Sequence, residues 1–358
     1  MKRIANFIPS LSGGGAERVV VNLLRAFDRN KVIPLLITGS ATGPFADKIP
    51  DDVEVIDLKT AQMRKATRPL TEVLNRQKAD LLISHLSHAN IALLRAARKA
   101  NHRPKIAVVE HMTMSAYKGE RWRDRLIKPL TKRLYPHADH IISVSNDAAR
   151  DLEQVLSLPN GSVKTIYNPV VSPELEKQAQ ENIEHPLGKF KGKLILGVGR
   201  LSKQKDFSTL IKAFSKLHTL ADTAVHLAIL GTGEQESLLR SLIAKHELQD
   251  SISLVGFQDN PYAWMRKADL FVLSSRWEAL PTVLIEAMAC GTPVAAYPVI
   301  GPIDVIEHGH NGCMENDLRD AVSGCLLLDR KKVFSMSKKW TWENCYKQFR
   351  DTLLNAKT

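Results

Sequence analysis

The sequence contains few cysteines and no long apolar run. Its four cysteines all lie in the second half, and none forms a CxxC pair. This pattern is typical of reduced cytoplasmic thiols and disfavours a disulfide framework or a zinc site. No apolar run approaches the roughly 18 residues of a membrane-spanning helix, and no signal-peptide pattern opens the chain. We therefore expect a cytoplasmic protein without a membrane-spanning helix.

A dinucleotide-binding fingerprint is missing as well. The glycines at 13–15 form GGG rather than GxGxxG. The second predicted strand ends in Thr38, where the fingerprint has an acidic residue that holds a ribose. NAD or FAD binding is therefore disfavoured, as is a nicotinamide-dependent oxidoreductase. The chain also shows no internal repeat and no low-complexity tract.

The net charge of +12 is distributed unevenly. Residues 1–170 contain 27 Lys and Arg against 16 Asp and Glu, whereas residues 171–358 contain 23 against 22. A basic half beside a nearly neutral half indicates that the first half meets an anionic partner. A nucleic-acid partner is not expected, because no aromatic-rich basic strand or recognition motif accompanies the charge.

Strand-length apolar runs alternate with helical patterns along the whole chain, which favours parallel sheets built from β/α units. The predicted strands cover residues 3–8, 32–38, 53–58, 80–84, 106–110, 141–144 and 163–166, then 194–198, 225–230, 251–255, 270–273 and 294–296. The predicted helices cover residues 16–27, 69–77, 89–100, 122–134 and 147–156, then 207–218, 235–245, 262–267, 282–290 and 302–308.

This order predicts an α/β protein with two doubly wound, Rossmann-like domains facing across a cleft. We place the first domain at residues 1–170 and the second at 193–335, with a polar linker at 171–192. In such sheets ligands bind beyond the carboxyl ends of the strands. The residues that follow the predicted strands are therefore the candidate ligand-binding residues.

Two features of the first half follow predicted strands. Gly14 and Gly15 precede the first helix, where glycines let a ligand approach the backbone of a helix start. A plain tight turn is the alternative interpretation of these glycines. His111 follows the fifth strand and is a candidate to hydrogen-bond a sugar or phosphate oxygen. A lone histidine is, however, more often structural.

The segment 118–133 is basic and partly amphipathic. On a helix, Arg121, Arg125, Lys128 and Lys132 share one stripe, and apolar residues fall on another side. This stripe is suited to an anionic bilayer or to the phosphates of a lipid. A core-packed helix with a solvated basic face is an equally good interpretation.

Several features of the second half also follow strands. Arg200 and Lys205 leave its first strand, where two cations are suited to neutralise a diphosphate. A surface loop with scattered basic residues is the alternative. Gly231 and Gly233 follow the next strand, and Phe257 follows the one after and offers an apolar surface to a base.

The stretch 274–291 joins two carboxylates to a helix start. Glu278 lies on a predicted loop and Glu286 lies within the following helix, with seven residues between them. Pro281 is suited to the first helical position, since it has no N–H to leave unpaired. The free N–H groups and the dipole of such a helix start form an anion site. Phosphate donors beside two hydroxyl acceptors are what a nucleotide sugar requires.

These residues together resemble the large family 4 of retaining glycosyltransferases, which has the GT-B fold. The resemblance extends over essentially the whole chain, and its most specific part is the EX7E motif of Glu278 and Glu286. The other matching residues are Gly13 to Arg18, Glu110-His111, Gly199-Arg200-Leu201 with Lys205, Gly231 to Gly233, Gly256-Phe257, Gly301-Pro302 with Asp304, Gly309 with Gly312, and Trp342. The resemblance also implies that residues 336–358 contain a helix that returns to the first domain.

The resemblance implies a role for each matching residue. Arg200 and Lys205 would hold the donor diphosphate and stabilise the leaving group. Glu278 and His111 would contact the transferred sugar, and these four residues form the implied catalytic set. Glu286 would accept hydrogen bonds from the ribose. The remaining implied donor-binding residues are Gly14, Gly15, Gly231, Gly233, Phe257, Leu280, Pro281, Thr282 and Val283.

One residue departs from the family pattern. Ala279 follows Glu278, where the family usually has glycine. An added methyl group at this point is expected to narrow the choice of donor or to shift the loop.

The expected activity is transfer of a hexose or N-acetylhexosamine from a nucleotide sugar, by default a UDP-sugar, with retention of anomeric configuration. The expected acceptor is a lipid-linked oligosaccharide, a lipopolysaccharide or a capsule glycan, at the inner face of the cytoplasmic membrane. A small soluble acceptor such as a sugar phosphate is the alternative, and nucleic-acid binding is a distant one. No D-x-D triplet is present, so we expect no metal ion and no other cofactor to be required.

Overall fold

The computed structural model describes residues 1–12, 14–60, 62–116, 125–218 and 224–354. Contacts divide the chain into two compact units. Unit 1 comprises Met1–Pro169 and Trp342–Thr358, and unit 2 comprises Val170–Thr341. Each unit is built on a parallel β-sheet flanked by helices, which confirms the predicted α/β class.

The sheet of unit 1 is parallel throughout its described strands. These are β1 (Lys2–Ile8), β2 (Val32–Thr38), β3 (Glu54–Asp57), β4 (Leu81–His85), β5 (Lys105–Glu110), β6 (His140–Ser143) and β7 (Val163–Thr165). They lie in the order β3-β2-β1-β4-β5-β6-β7. The helices are α1 (Gly15–Ala26), α2 (Thr67–Gln77), α3 (Ser87–Ala97), α4 (Ile127–Leu134) and α5 (Asn146–Leu156).

Continuous apolar runs explain why these strands are central. Leu35, Leu36 and Ile37 of β2 are at most 1% exposed, because helices cover both faces of a parallel sheet. Such runs lack the alternation of a half-exposed strand, and this made them recognisable in the sequence.

The sheet of unit 2 repeats this architecture. Its strands are β8 (Lys193–Val198), β9 (Val225–Leu230), β10 (Ile252–Gly256), β11 (Leu270–Leu273), β12 (Val294–Ala296) and β13 (Gly312–Met314), in the order β10-β9-β8-β11-β12-β13. Its helices are α6 (Pro173–Gln178), α7 (Phe207–His218), α8 (Glu236–Lys245), α9 (Pro261–Lys267), α10 (Thr282–Ala289), α11 (Pro302–Val305), α12 (Leu318–Cys325) and α13 (Arg330–Ser337).

Both sheets reverse their order beside their first strand. In unit 1 the reversal lies between β1 and β4, and in unit 2 it lies between β8 and β11. Connections on the two sides of such a point lead to opposite faces of the sheet, which leaves a crevice at the carboxyl ends of the strands. The loops that follow these four strands are thus the ones placed to bind a ligand.

The last described α-helix, α14 (Trp342–Phe349), belongs to unit 1. It packs against the end of α1, where the ring centroids of Phe27 and Phe349 are 5.7 Å apart. The ring of Tyr346 lies 6.1 Å from the same Phe27 ring. The chain therefore leaves unit 1 after Pro169 and re-enters it at Trp342.

The predicted linker at 171–192 is more ordered than its polar composition indicated. It contains α6 and belongs to unit 2. Ser172 accepts a hydrogen bond from the Leu175 backbone N–H and caps α6, while Leu175 is 1% exposed. A single buried apolar residue is too weak a periodic signal to mark a short helix.

Three further elements, β13, α12 and α13, were not predicted, and the helix expected at 302–308 ends at Val305. The strand β13 has only three residues and pairs with β12 at an edge of the sheet. The helices α12 and α13 begin at aspartate caps, Asp317 and Asp329, but each spans only eight residues. Short elements carry too few residues for periodicity to identify them. No helix among the described residues is both long and apolar enough to cross a membrane.

Candidate active site

An ion pair links the two loops at the reversal point of unit 2. Lys205 lies on the loop after β8, and Glu278 lies on the loop after β11. The Nζ atom of Lys205 is 2.6 Å from Oε1 of Glu278, and the side chains are 18% and 12% exposed. Limited exposure strengthens such a pair relative to a surface pair, because solvent screens it less. The structure thus brings together two residues of the implied catalytic set.

Further hydrogen bonds hold the same two loops together. Ser274 donates its hydroxyl to the Lys205 carbonyl at 2.7 Å, and the Arg276 backbone N–H donates to the Gln204 carbonyl at 2.9 Å. The Arg276 guanidinium also pairs with Asp206 at 2.9 Å. Asp206 has a φ of 47°, a left-handed conformation that aspartate tolerates better than most residues. These contacts fix the backbone on both sides of the ion pair.

Arg200 occupies the same loop but is exposed. It follows Gly199, which lies in front of the Lys205 side chain: a Cβ atom at Gly199 would be 3.1 Å from Cε of Lys205. The loop therefore carries the sheltered Lys205 together with two exposed cations, Arg200 and Lys203.

The helix start that the sequence indicated lies beside this ion pair. The helix α10 begins at Thr282, and Pro281 is its N-cap rather than its first residue, with ψ at 83°. Leu280 is buried, whereas Thr282 and Val283 are half-buried. Glu286, in the second turn of α10, is only 6% exposed. The N-terminal turn of α10 and two carboxylates thus lie within one short stretch of unit 2.

Gly231 and Gly233 lie against the neighbouring loop and do not face open space. A Cβ atom at Gly231 would overlap the carbonyl oxygen of Gly199, and one at Gly233 would overlap the carbonyl oxygen of Leu201. The Leu201 backbone N–H also donates to the Thr232 carbonyl at 2.9 Å. These glycines therefore allow the Arg200 loop to lie directly on the loop after β9.

Phe257 and Ala279 have contrasting environments. Phe257 is 70% exposed, and it follows Gly256, whose φ of 83° turns the chain at the end of β10. An exposed aromatic ring beyond a strand end is suited to stack on a base. Ala279 is 8% exposed and is not among the non-glycine residues with positive φ, so its side chain fits without backbone strain.

In unit 1, Gly14 and Gly15 lie at the start of α1. Gly14 is the N-cap residue, and its carbonyl accepts from the Arg18 N–H at 3.3 Å. A Cβ atom at Gly14 would lie 2.5 Å from a carboxylate oxygen of Glu17, which is itself 7% exposed. A Cβ atom at Gly15 would meet nothing within 4 Å. Gly13 lies outside the described residues.

His111 is half-buried and is the outer member of a polar chain that runs into the core of unit 1. Its Nε2 atom lies 3.0 Å from Nδ1 of His85, which is the last residue of β4. The Nε2 atom of His85 in turn lies 3.3 Å from the amide oxygen of Asn6 in β1. Burial lowers the pKa of His111 to about 4, and burial followed by the charge of His111 lowers the pKa of His85 well below its usual value. Both imidazoles are therefore neutral near pH 7.

Glu110, next to His111, belongs to a second buried network. Ser87 donates its hydroxyl to one carboxylate oxygen at 3.0 Å, and the hydroxyl of Tyr135 donates to the other. Asn90 donates to Tyr135 at 2.8 Å. Burial raises the pKa of Glu110 to about 7, and the hydrogen bonds that it accepts only partly oppose this rise.

The basic stripe is only partly described. Arg121 and the predicted helix start at 122–124 lie outside the described residues. Arg125 and Lys132 are exposed, and Lys132 donates to the Ser157 hydroxyl at 2.9 Å. Lys128 is half-buried and donates to the Ser115 carbonyl at 3.4 Å. The described helix α4 begins at Ile127, so Pro129 falls in its first turn, where a missing N–H is tolerated.

Sequence reasoning missed the supporting residues His85, Asn6, Asp206 and Arg276. His85 directly follows the strand predicted at 80–84, and this position at a strand end is a signal that could have identified it. The others are brought to the site by contacts between segments far apart in the sequence. Among the described residues, no group of three or more His, Cys, Asp or Glu side chains is placed to hold a metal ion.

Two family models match the chain one after the other. The model for glycosyltransferase family 4 matches residues 13–172, and the model for glycosyl transferases group 1 matches residues 179–320. A Campylobacter jejuni enzyme, N-acetylgalactosamine-N,N'-diacetylbacillosaminyl-diphospho-undecaprenol 4-alpha-N-acetylgalactosaminyltransferase, is 30% identical over 310 residues, which cover 82% of this chain and 80% of that enzyme. The chain belongs to glycosyltransferase family 4.

Other proteins resemble the chain over most of its length. The N-acetyl-alpha-D-glucosaminyl L-malate synthase of Bacillus anthracis is 27% identical over 78% of this chain and 74% of its own. The crystal structure of Anabaena HepE in complex with UDP superposes with a TM-score of 0.76 at 21% identity, over 99% of this chain and all of that one. The structural likeness confirms the predicted GT-B fold.

Membership in family 4 confirms that the protein is a glycosyltransferase. The two family models divide where the structure divides, since the first ends at residue 172 and unit 2 begins at Val170. The charged reversal point of unit 2 lies within the group 1 model, whereas His111 lies within the family 4 model.

Proposed function

We propose that this glycosyltransferase moves a hexose or N-acetylhexosamine from a UDP-sugar to a lipid-linked glycan acceptor, with retention of configuration. The observation that carries the proposal is the sheltered Lys205–Glu278 pair beside the first turn of α10. This arrangement supports a site for a diphosphate joined to a sugar, because it combines cations, backbone donors and hydroxyl acceptors.

When the donor binds, Lys205 and Glu278 give up their contact with each other and bind groups of the donor. Lys205 and Arg200 bind the diphosphate, and Glu278 accepts hydrogen bonds from the hydroxyls of the donor sugar. The N–H groups at the start of α10 bind phosphate oxygens, and Glu286 accepts from the ribose. Phe257 lies against the base. Lys205 and Glu278 are already held by the contacts between the two loops, which reduces the reorganisation that binding requires.

The transfer step separates charge, and the site is suited to stabilise it. As the sugar–phosphate bond breaks, negative charge grows on the diphosphate, where Lys205, Arg200 and the helix dipole stabilise it. Positive charge grows on the sugar, near Glu278. The acceptor hydroxyl attacks from the face that the diphosphate leaves, and it gives its proton to the departing phosphate. Retention of configuration follows from this front-face route.

The proposed nucleotide is supported by the structural neighbour, which was solved in complex with UDP. A donor panel tests the nucleotide and the sugar separately. Thermal shift is measured with UDP, GDP and ADP, and hydrolysis is then measured with the matching sugars. Stabilisation by UDP above the other two is expected, and a preference for GDP or ADP would contradict the proposal.

The proposed acceptor is supported by the Campylobacter jejuni relative, whose name describes a glycan linked to diphospho-undecaprenol. The exposed cations Arg125 and Lys132 of the basic unit 1 support contact with phosphates of such a lipid or of an anionic membrane. The test is transfer of labelled sugar to a polyprenyl-diphosphate glycan, presented in vesicles with and without anionic lipid. Transfer that needs neither a lipid nor a vesicle would contradict it.

A soluble acceptor is the second candidate. The Bacillus anthracis relative is named N-acetyl-alpha-D-glucosaminyl L-malate synthase, and L-malate is a small anion. Under this alternative the basic residues of unit 1 bind an anionic soluble acceptor. Activity with sugar phosphates or hydroxy acids, at rates above those with lipid-linked glycans, distinguishes it.

We further propose that catalysis needs no metal ion, because Arg200, Lys205 and the start of α10 supply the positive charge that a metal would supply. The enzyme is assayed after treatment with EDTA and again after adding back Mg²⁺ or Mn²⁺. At least most of the activity should survive chelation. Complete loss, restored by either metal, would overturn this part of the proposal.

A further inference from the structure

Asn6, His85 and His111 come from three neighbouring strands of unit 1. Asn6 lies in β1, His85 ends β4 and His111 directly follows β5, and these strands are adjacent in the sheet. The side chains form a chain of hydrogen bonds, 3.3 Å from Asn6 to His85 and 3.0 Å from His85 to His111. Asn6 is fully buried and His85 is 2% exposed.

The amide oxygen of Asn6 sets the direction of this chain. In the structure the Asn6 oxygen lies toward His85 and the Asn6 Nδ2 atom has no hydrogen-bond partner; with the amide in this orientation, Nε2 of His85 carries the hydrogen. A neutral imidazole carries one N–H, so Nδ1 of His85 is bare and accepts. The Nε2 atom of His111 must then be the donor. The Nδ1 atom of His111 is left bare, and no side chain or backbone group among the described residues hydrogen-bonds to it.

We propose that His85 is a positioning residue that locks His111 in the tautomer with a bare Nδ1, so that His111 accepts a hydrogen bond from a substrate hydroxyl. The tautomer itself follows from the Asn6–His85–His111 contacts, while its use by substrate rests on the proposed function. A sugar hydroxyl is a donor that matches this acceptor. The opposite tautomer would present an N–H, which suits a phosphate oxygen instead.

The burial around these hydrogen-bonded side chains supports the separate roles proposed for His85 and His111. Burial lowers the pKa of His111 to about 4, so its ring is a poor proton acceptor near pH 7 and is suited to orient a hydroxyl. Without His85, the ring of His111 would populate both neutral tautomers and two ring orientations. A bare Nδ1 would then be present only part of the time.

The tautomer is measured directly by nitrogen NMR of histidine-labelled protein. The His111 signals are identified by their loss in His111→Phe. In the wild type, Nδ1 of His111 should resonate as an unprotonated nitrogen and Nε2 as a protonated one. A protonated Nδ1 in the wild type overturns the inference, whatever the enzyme does. His85→Phe should lose the wild-type pattern, whereas His85→Gln should keep it, because a glutamine oxygen can accept from Nε2–H.

Kinetics test whether the lock matters to the reaction. His85→Phe should lower kcat about tenfold, the size of one misdirected hydrogen bond, and His85→Gln should recover most of it. In a His111→Phe background, His85→Phe should have no further effect, since a positioning residue acts only through its partner. An equal loss in both backgrounds would show a merely structural role and overturn the inference.

A control separates this result from general damage to a buried histidine. His226, in β9 of unit 2, is 8% exposed, and its Nε2 lies 2.9 Å from the Ser253 hydroxyl. His226→Phe should lower the melting temperature without the selective loss of kcat. If His111→Phe itself retains full activity, the proposed function of His111 fails, while the NMR pattern still decides the tautomer.

Discussion

The reversal points of the two units are built from opposite chemistry on the same scaffold. In unit 2 the loops after β8 and β11 meet through charged groups, with Lys205 paired to Glu278 and Arg276 paired to Asp206. In unit 1 the side chains at the ends of β4 and β5 meet through neutral imidazoles, and the carboxyl of the adjacent residue, Glu110, has its pKa raised to about 7.

This difference follows from burial. Asn6, His85 and Glu110 are at most 2% exposed, and a lone charge at that depth is costly unless it is paired. The loops of unit 2 are partly exposed, so they can hold opposite charges in contact. Two similar sheets can therefore support separate tasks, with charge for a diphosphate in one and neutral orientation of hydroxyls in the other.

Removing the carboxylate of Glu278, at the charged reversal point of unit 2, should have the largest effect. Glu278→Gln should lower kcat roughly 10²–10³-fold, because a neutral amide no longer stabilises the positive charge that develops on the sugar. The measurement is turnover with the preferred UDP-sugar, with circular dichroism as a check of the fold. Glu184→Gln, at an exposed position of unit 2, is the matched control. A rate near that of the wild type would remove Glu278 from the mechanism.

The buried Glu110 of unit 1 should make the free energy of unfolding depend on pH. A carboxyl with a pKa near 7 in the folded state binds more protons than in the unfolded state, so its contribution to stability falls as pH rises from about 4.5 to 7. The loss is at most about 3.5 kcal/mol, at roughly 1.4 kcal/mol per pKa unit. Because His85 and His111 have lowered pKa values, their contribution changes with pH in the opposite direction.

A difference measurement isolates the glutamate from the histidines. Unfolding free energies of wild type and Glu110→Gln are compared by urea denaturation between pH 4.5 and 8. The wild type should lose stability relative to the variant as pH rises. A difference that is independent of pH would show that Glu110 is charged throughout this range and that the contrast between the two units is wrong.

Removing Lys205 or Arg200 of unit 2 should weaken the binding of UDP. Lys205→Ala and Arg200→Ala should each weaken UDP binding by about 1.5–3 kcal/mol, the range for hydrogen bonds to charged groups. Calorimetry with UDP measures the loss. Lys203→Ala is the matched control, since Lys203 lies on the same loop and is exposed. Unchanged affinity in both variants would contradict a diphosphate site at this reversal point.

Removing exposed cations from the surface of either unit should have the smallest effect, and this effect is on the binding of anionic vesicles. Replacing Arg125 and Lys132 together by Gln should weaken binding to anionic vesicles by about 1 kcal/mol per cation removed. Lys212→Gln with Lys245→Gln removes two exposed cations from unit 2 and serves as the control. Equal losses in the two pairs would show that binding depends on total charge rather than on unit 1.

Local patterns revealed the strands and the residues that follow them. The central strands are mostly apolar, and the predicted bounds of β2, β9, β11 and β12 are those of the structure. Glu278 and Glu286 could be recognised because their spacing across a loop and a helix start is local. The short elements β13 and α6 were missed, because a few residues do not establish a period.

The sequence by itself determined the family, the parallel sheets and the candidate residues at the strand ends, since each is encoded within a few consecutive residues. Only the tertiary structure decided that Lys205 pairs with Glu278, that Gly231 and Gly233 pack on the Arg200 loop, and that His85 lies against His111. These contacts join segments distant in sequence, and sheet order, which local periodicity does not specify, brings them together. The same packing excludes water from Glu110 and so determines its charge.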